Sequence, residues 1–122
     1  MLNIYINKYF INDEEDLYKW ILKADEEGQQ VMVHGIGDKA IHSVLNIYER
    51  IIEKNGKKDR RLRIEHAQHL APDDISRFAE LGVIVSVQPY HAIDDGRWAE
   101  ELIGSERIKT TYAFKSLLDA QA

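Results

Sequence analysis

A chain of 122 residues favours one domain, and 44% hydrophobic with 30% charged residues is the balance of an ordinary globular protein. A net charge of -5 provides no basic face for nucleic acid, and no apolar run approaches the roughly 20 residues that span a bilayer. There is no cysteine, which excludes disulfides and thiolate metal sites and leaves histidines and carboxylates as the available metal ligands.

The start, MLNIYINKYF, has one lysine and no small-residue cleavage site, so it does not read as a secretory signal and a cytoplasmic location is expected. Residues 1–11 alternate loosely, with Leu2, Ile4 and Ile6 against Asn3, Tyr5 and Asn7, and are read as a lead-in strand or edge segment. Residues 12–28 predict a helix. Asn12 with Glu15 makes a capping-box pattern, Leu17, Trp20, Ile21 and Ala24 form one apolar stripe, and Gly28 supplies the stop. Gln30-Val31-Met32-Val33-His34 is apolar without alternation, as in a parallel strand covered on both faces. Gly35-Ile36-Gly37-Asp38 turns the chain, with Asp38 as the expected N-cap of the next helix. The glycine spacing is neither GxGxxG nor Walker A, which argues against a phosphate loop.

Residues 39–55 predict the longest helix, with Ile41, Val44, Leu45, Tyr48, Ile51 and Ile52 in helical period and Gly56 after it. His42 falls on the polar side and is read as a solvated surface histidine, and the charged run 57–61 as a solvated connector. A strand near 61–67 leads to Pro72-Asp73-Asp74, a helix start that continues through Ile75, Phe78 and Leu81 to Gly82. Val83-Ile84-Val85-Ser86-Val87-Gln88 is the third strand, with Pro89 past its last ladder bond. Residues 94–103 read as a short amphipathic segment around Trp98, Leu102 and Ile103, and 105–122 as mostly helical around Tyr112, Phe114, Leu117 and Leu118. Alternation of helix and strand implies a parallel sheet with right-handed crossovers.

Three strands are thus expected to deliver His34, His66 and His91 to one end of the sheet. Neutral imidazole is the commonest metal ligand, and catalytic zinc sites keep about three protein ligands and one open position. Along 62–66, however, His66 shares parity with Leu62 and Ile64, and Arg63 and Glu65 share the other face. If His66 faces a site, Arg63 and Glu65 should face the helix layer. There they must pair with each other or a neighbour, unless a bulge shifts the strand. His69, beyond the strand end, is read as a loop residue.

The motifs His34-Gly35-Ile36-Gly37-Asp38, Arg63-Ile64-Glu65-His66-Ala67-Gln68, Val87-Gln88-Pro89-Tyr90-His91 and Ser116-Leu117-Leu118-Asp119-Ala120 resemble, in order, successive motifs of the amidohydrolase superfamily. The nearest branch is similar to the metal-dependent hydrolases that include N-substituted formamide deformylases, over about residues 13–122. The resemblance implies an α/β fold, a partial (β/α)8 (TIM) barrel. Residues 1–122 would form one incomplete segment, with three parallel strands near 31–34, 61–67 and 83–88 as the fifth to seventh of the barrel. It implies His34 and His66 as ligands of a divalent metal, expected to be zinc, and His91 as the catalytic residue facing substrate. Asp38, Glu65 and Gln88 are the groups behind them. The implied reaction is attack of metal-activated water on a non-peptide C–N bond of a small amide-type substrate, with an aspartate of the eighth strand moving the proton.

The family's His-x-His pair, its acidic or modified-lysine ligand and the eighth-strand aspartate have no match here. A barrel needs about 250 residues. The chain is therefore expected to be a central piece of such a hydrolase, inactive or weak alone. Its bare edge strands and uncovered barrel face imply a homo-oligomer. The alternatives are a non-catalytic oligomeric remnant, and a module binding a small carboxylate or phosphate at the 35–38 turn.

Overall fold

In the computed structural model residues 13–122 are described. The segment at 1–11, and Asn12 with its capping-box reading, lie outside them. Helix α1 is Glu14–Glu26, and its capping residue is Asp13, whose Oδ1 accepts from the N–H groups of Glu15 (2.9 Å) and Asp16 (3.3 Å). Ile21 is its buried anchor, while Trp20, placed in the apolar stripe by its spacing, is 58% exposed.

Strands β1 (Met32–Gly35), β2 (Arg63–His66) and β3 (Ile84–Ser86) form a parallel sheet in the order β1-β2-β3. Helix α2 (Asp38–Asn55) makes the first crossover, and a 3-10 turn at Pro72–Asp74 followed by α3 (Ile75–Leu81) makes the second. Val33 pairs in register with Ile64, and Ile64 with Val85. These three side chains share the face that meets the helices. Ile64 is completely buried there, in one core with Ile41, Leu45, Tyr48 and Ile51 of α2 and Phe78 of α3. Burial of each such side chain is worth on the order of 1.5–3 kcal/mol. The Tyr48 hydroxyl donates to the Arg63 carbonyl at 3.0 Å, so the buried phenol ties α2 to β2 while satisfying its polar atom.

The other sheet face carries Met32, Arg63 and Ile84 in one row, then His34, Glu65 and Ser86 in the next. Met32 and Ile84 are about half exposed, at 55% and 43%. Within the described residues this face has no second layer over it.

Two buried carboxylates fasten the helix layer. Asp25 at the end of α1 accepts from Asn55 and Arg60, each at 2.8 Å, and pairs with Lys58 at 3.1 Å. The charged connector is therefore not simply solvated, because Arg60 reaches inward to the buried acid. Asp74 accepts from Arg77 at 2.9 Å and meets His42 Nδ1 at 3.0 Å. His42 is half exposed, but it is a partner of a buried acid rather than a free surface histidine.

Beyond β3 the elements are shorter than the apolar spacing suggested. Pro89 opens helix α4 (Pro89–Asp95), and α5 (Ala99–Ile103) follows after a break at Gly96. Residues 105–122 hold a 3-10 turn at Arg107–Thr110 and the six-residue helix α6 (Phe114–Asp119), in which Leu117 is buried and Leu118 is 74% exposed. The intervening stretch is extended because it docks on the loop after β2. Leu70 N donates to Thr110 O, Tyr112 N to Gln68 O, and His69 bridges Thr111 antiparallel. His69 is accordingly buried, with Nδ1 3.0 Å from Thr111 Oγ1, and is not the bland loop residue its position implied.

Candidate functional site

The parity conflict at β2 is resolved by backbone conformation rather than by a bulge. His34 is the register partner of Glu65, so both stand on the open face, opposite Val33 and Ile64. Strict alternation would send His66 to the helix side with Ile64. Instead His66 has φ 75° and Ala67 φ 45°, two successive left-handed residues without glycine. That conformation costs of order 1–3 kcal/mol per residue and gathers at functional sites. It breaks the alternation at the last strand residue, and His66 Nε2 comes to 2.9 Å from His34 Nδ1. Arg63 and Glu65 also occupy the open face rather than the helix side, and they pair with each other at 2.5 Å. The contact is ionic, without linear hydrogen-bond alignment.

Gly35, next to His34, lets this happen on the β1 side. A Cβ there would lie 3.0 Å from both Ile41 Cγ1 and Ile64 Cγ2. The strand end is therefore seated directly on the helix layer, opposite His66 in register.

His91 reaches the same place by another route. It is not at a strand end, because Gln88 caps α4 and His91 falls in the first turn of that helix. Its ring stacks on His66, with centroids 5.9 Å apart and planes at 19°, while the His34 and His66 centroids are 4.9 Å apart. Three of the five histidines thus share one corner of the open face. His42 and His69 are engaged elsewhere, by Asp74 and Thr111.

The electrostatics favour an uncharged His66. Burial first, then the charges of His34 and His91, hold its pKa below the ordinary imidazole value, with Gln88 and Glu65 opposing. Neutral imidazole is the ligating form. A bond from Ser86, then the Arg63 guanidinium, keep the Glu65 carboxyl below the usual range against partial burial, so a fixed anion stands beside His34. His66 Nδ1 and Gln88 Oε1 are buried atoms that interact without linear alignment.

These features fit a metal in part. The two ring nitrogens converge, and the second nitrogen of His66 has a carbonyl acceptor at hand, the arrangement that usually fixes the tautomer of a ligating histidine. Among the described residues no group of three or more His, Asp or Glu is placed to hold a metal ion. His34 and His66 are therefore suited to be two members of a larger ligand set. Asp38 is not with them. It is the first residue of α2 rather than its cap, which is Gly37, and its carboxylate accepts from Lys39 N at 2.8 Å and pairs with Arg107. With that carboxylate already on the Lys39 N–H at the start of α2, the 35–38 turn is poorly suited to a second anion.

Gln68, read only as the end of a motif, Asp95, and Tyr112, read as part of an apolar set, form a compact polar cluster. Gln68 Nε2 donates to Asp95 Oδ2 at 2.8 Å and to the Tyr112 hydroxyl, which in turn donates to Asp95. The only available signal was the four-residue spacing of His91 and Asp95 on one helix.

The sequence profile of the amidohydrolase family matches residues 3–122. Protein LONG AFTER FAR-RED 3 of Arabidopsis thaliana is 47% identical over 113 residues, which are 92% of this chain and 19% of that protein. The N-substituted formamide deformylase of Arthrobacter pascens is 29% identical over 111 residues, 88% of this chain and 20% of that enzyme. The crystal structure of an uncharacterized metal-dependent hydrolase from Pyrococcus horikoshii OT3 superposes with a TM-score of 0.74 at 36% identity, covering 90% of this chain and 21% of that one. The chain thus spans about one fifth of the length of each of these three proteins. The family profile covers nearly the whole chain, the superposition agrees with its parallel α/β fold, and the chain belongs to the amidohydrolase family.

Proposed function

We propose that this chain is the part of a metal-dependent amidohydrolase that contributes His34 and His66 as two metal ligands and His91 as a substrate-facing residue. The observation that carries this reading is the 2.9 Å approach of His66 Nε2 to His34 Nδ1, reached through a left-handed backbone at His66. A bound divalent metal, with zinc the expected ion for imidazole ligands, would supply Lewis acidity and a lowered water pKa.

The chain's own groups take the following parts. Gln88 Oε1, the carbonyl oxygen beside His66 Nδ1, would accept its proton once a metal is bound and so leave the Nε2 lone pair for that metal. Glu65, held ionised by Ser86 and Arg63, offsets positive charge next to His34. His91, exposed at the rim on α4, is placed to hydrogen-bond the carbonyl oxygen of a small amide-type substrate while a non-peptide C–N bond is cleaved. Two imidazoles make a weak metal site, so the isolated chain is expected to be inactive or nearly so. It is also expected to self-associate through the open sheet face at Met32 and Ile84, which sedimentation at micromolar concentration would detect.

The test is a graft of residues 13–122 in place of the matching fifth of the Pyrococcus horikoshii hydrolase, followed by metal analysis. Near-stoichiometric metal, lost on His34→Ala or His66→Ala, is the expected result. Full metal content in both variants would refute the assignment.

A further inference from the structure

Helix α4 carries His91, yet among the described residues no apolar side chain of this helix is buried. It has seven residues, none of them buried. Tyr90 and Ile93 are 69% and 61% exposed. A helix this short is unstable alone, since isolated helices are marginal below about 12–15 residues. Pro89 fixes its start, but the rotation of the helix about its own axis needs a second attachment.

That attachment is Asp95. His91 and Asp95 are four residues apart and lie on one helix face. Asp95 Oδ2 accepts from Gln68 Nε2 at 2.8 Å and from the Tyr112 hydroxyl, and Gln68 also donates to that hydroxyl. Gln68 is 7% exposed and stands two residues after His66. Tyr112 is tied to the same residue through its backbone N–H, 2.7 Å from Gln68 O. The path from His66 to Gln68, to Asp95, to His91 and back to His66 is therefore a closed loop of short links. His66 and His91 are referenced to one another through it.

We infer that Asp95, gripped by Gln68 and Tyr112, is a positioning residue that sets the azimuth of α4 and so keeps His91 stacked against His66. The inference rests on the reading of His91 given above. It also explains why the Tyr112 segment is pulled down onto the β2 loop rather than continuing as helix.

The experiment is histidine-ring NMR on the full chain, following cross-relaxation between the rings of His34, His66 and His91 in wild type, Asp95→Ala, Asp95→Asn and Tyr112→Phe. Asp95→Ala is expected to lose the His66–His91 cross-peak, keep the His34–His66 cross-peak and leave far-UV circular dichroism unchanged. Asp95→Asn, which retains an oxygen acceptor for both donors, is expected to restore the lost cross-peak. A purely structural role for Asp95 would not spare one ring contact and remove the other. If Asp95→Ala does not fold, Tyr112→Phe decides, with a weakened His66–His91 cross-peak expected. Persistence of that cross-peak at wild-type strength in the foldable variants overturns the inference. Absence of the His34–His66 cross-peak in wild type would instead overturn the reading of the histidine site itself.

Discussion

Gly35→Ala is the sharpest packing test at the site. The added Cβ would stand 3.0 Å from Ile41 Cγ1 and 3.0 Å from Ile64 Cγ2, several tenths of an ångström inside ordinary contact. Both neighbours are fully buried and β-branched, so neither can swing aside within its preferred rotamers. No left-handed backbone is involved at this glycine, and the effect is steric. Overpacking of this kind costs typically about 1–3 kcal/mol. The loss of glycine's freedom in the unfolded chain returns roughly 0.5–1 kcal/mol. A net destabilisation of about 1–2 kcal/mol follows from the middle of these ranges, which at a mid-range slope of ~2 kcal/mol/M lowers the urea midpoint by roughly 0.5–1 M with unchanged slope. In an Ile64→Ala background one of the two clashing atoms is gone, so the same glycine substitution should be less harmful there. A Gly35→Ala protein as stable as wild type, or an identical loss in both backgrounds, would refute the claim that β1 is seated on the helix layer at this point.

Asp25→Ala should be among the most damaging polar substitutions. Burial pushes the Asp25 carboxyl up, but bonds from Asn55, Arg60 and Lys58 outweigh it and leave the pKa below the usual range. Removing the acid strands the Arg60 guanidinium, whose side chain is 4% exposed, at about 3–5 kcal/mol by urea denaturation. Asp25→Asn should lose less, and equal losses would contradict an ionic anchor. Stability should also fall in mild acid. Burial first, then Arg107, hold the His69 imidazole below its ordinary value against Asp95 and Asp38. The folded state thus binds that proton less readily than the unfolded chain, which titrates near pH 6.5. Stability is full above about pH 6.5 and declines as pH drops from there through the lowered folded-state value. His69→Gln should flatten this part of the stability–pH curve, and an unchanged slope would contradict the cause assigned.

What could be read from residues alone was set by regular periodicity. The α2 pattern from Ile41 to Ile51 and the β-branched runs before His34 and within β3 gave helix, strand and parallel order, because each repeats over several residues. The motif resemblance located the histidine corner. The details that make the corner work are not periodic. Strand parity sent His66 and Glu65 to opposite faces, and a left-handed His66 overrode it. His91 shifted from strand end to helix because Pro89 is as good a first helical residue as a strand terminator. His42 and His69 looked idle because their partners, Asp74 and Thr111, lie 32 and 42 residues away. Contacts across such separations leave no trace in local spacing.

The most direct measurement is a zinc titration of the chain followed through the histidine ring resonances. His34 and His66 are predicted to shift together, with His91 following more weakly through its stack on His66, while His42 and His69 stay unmoved. Shifts led by His42 or His69, or a response of His34 that survives His66→Ala unchanged, would contradict a shared pair of imidazole ligands on the open face of the sheet.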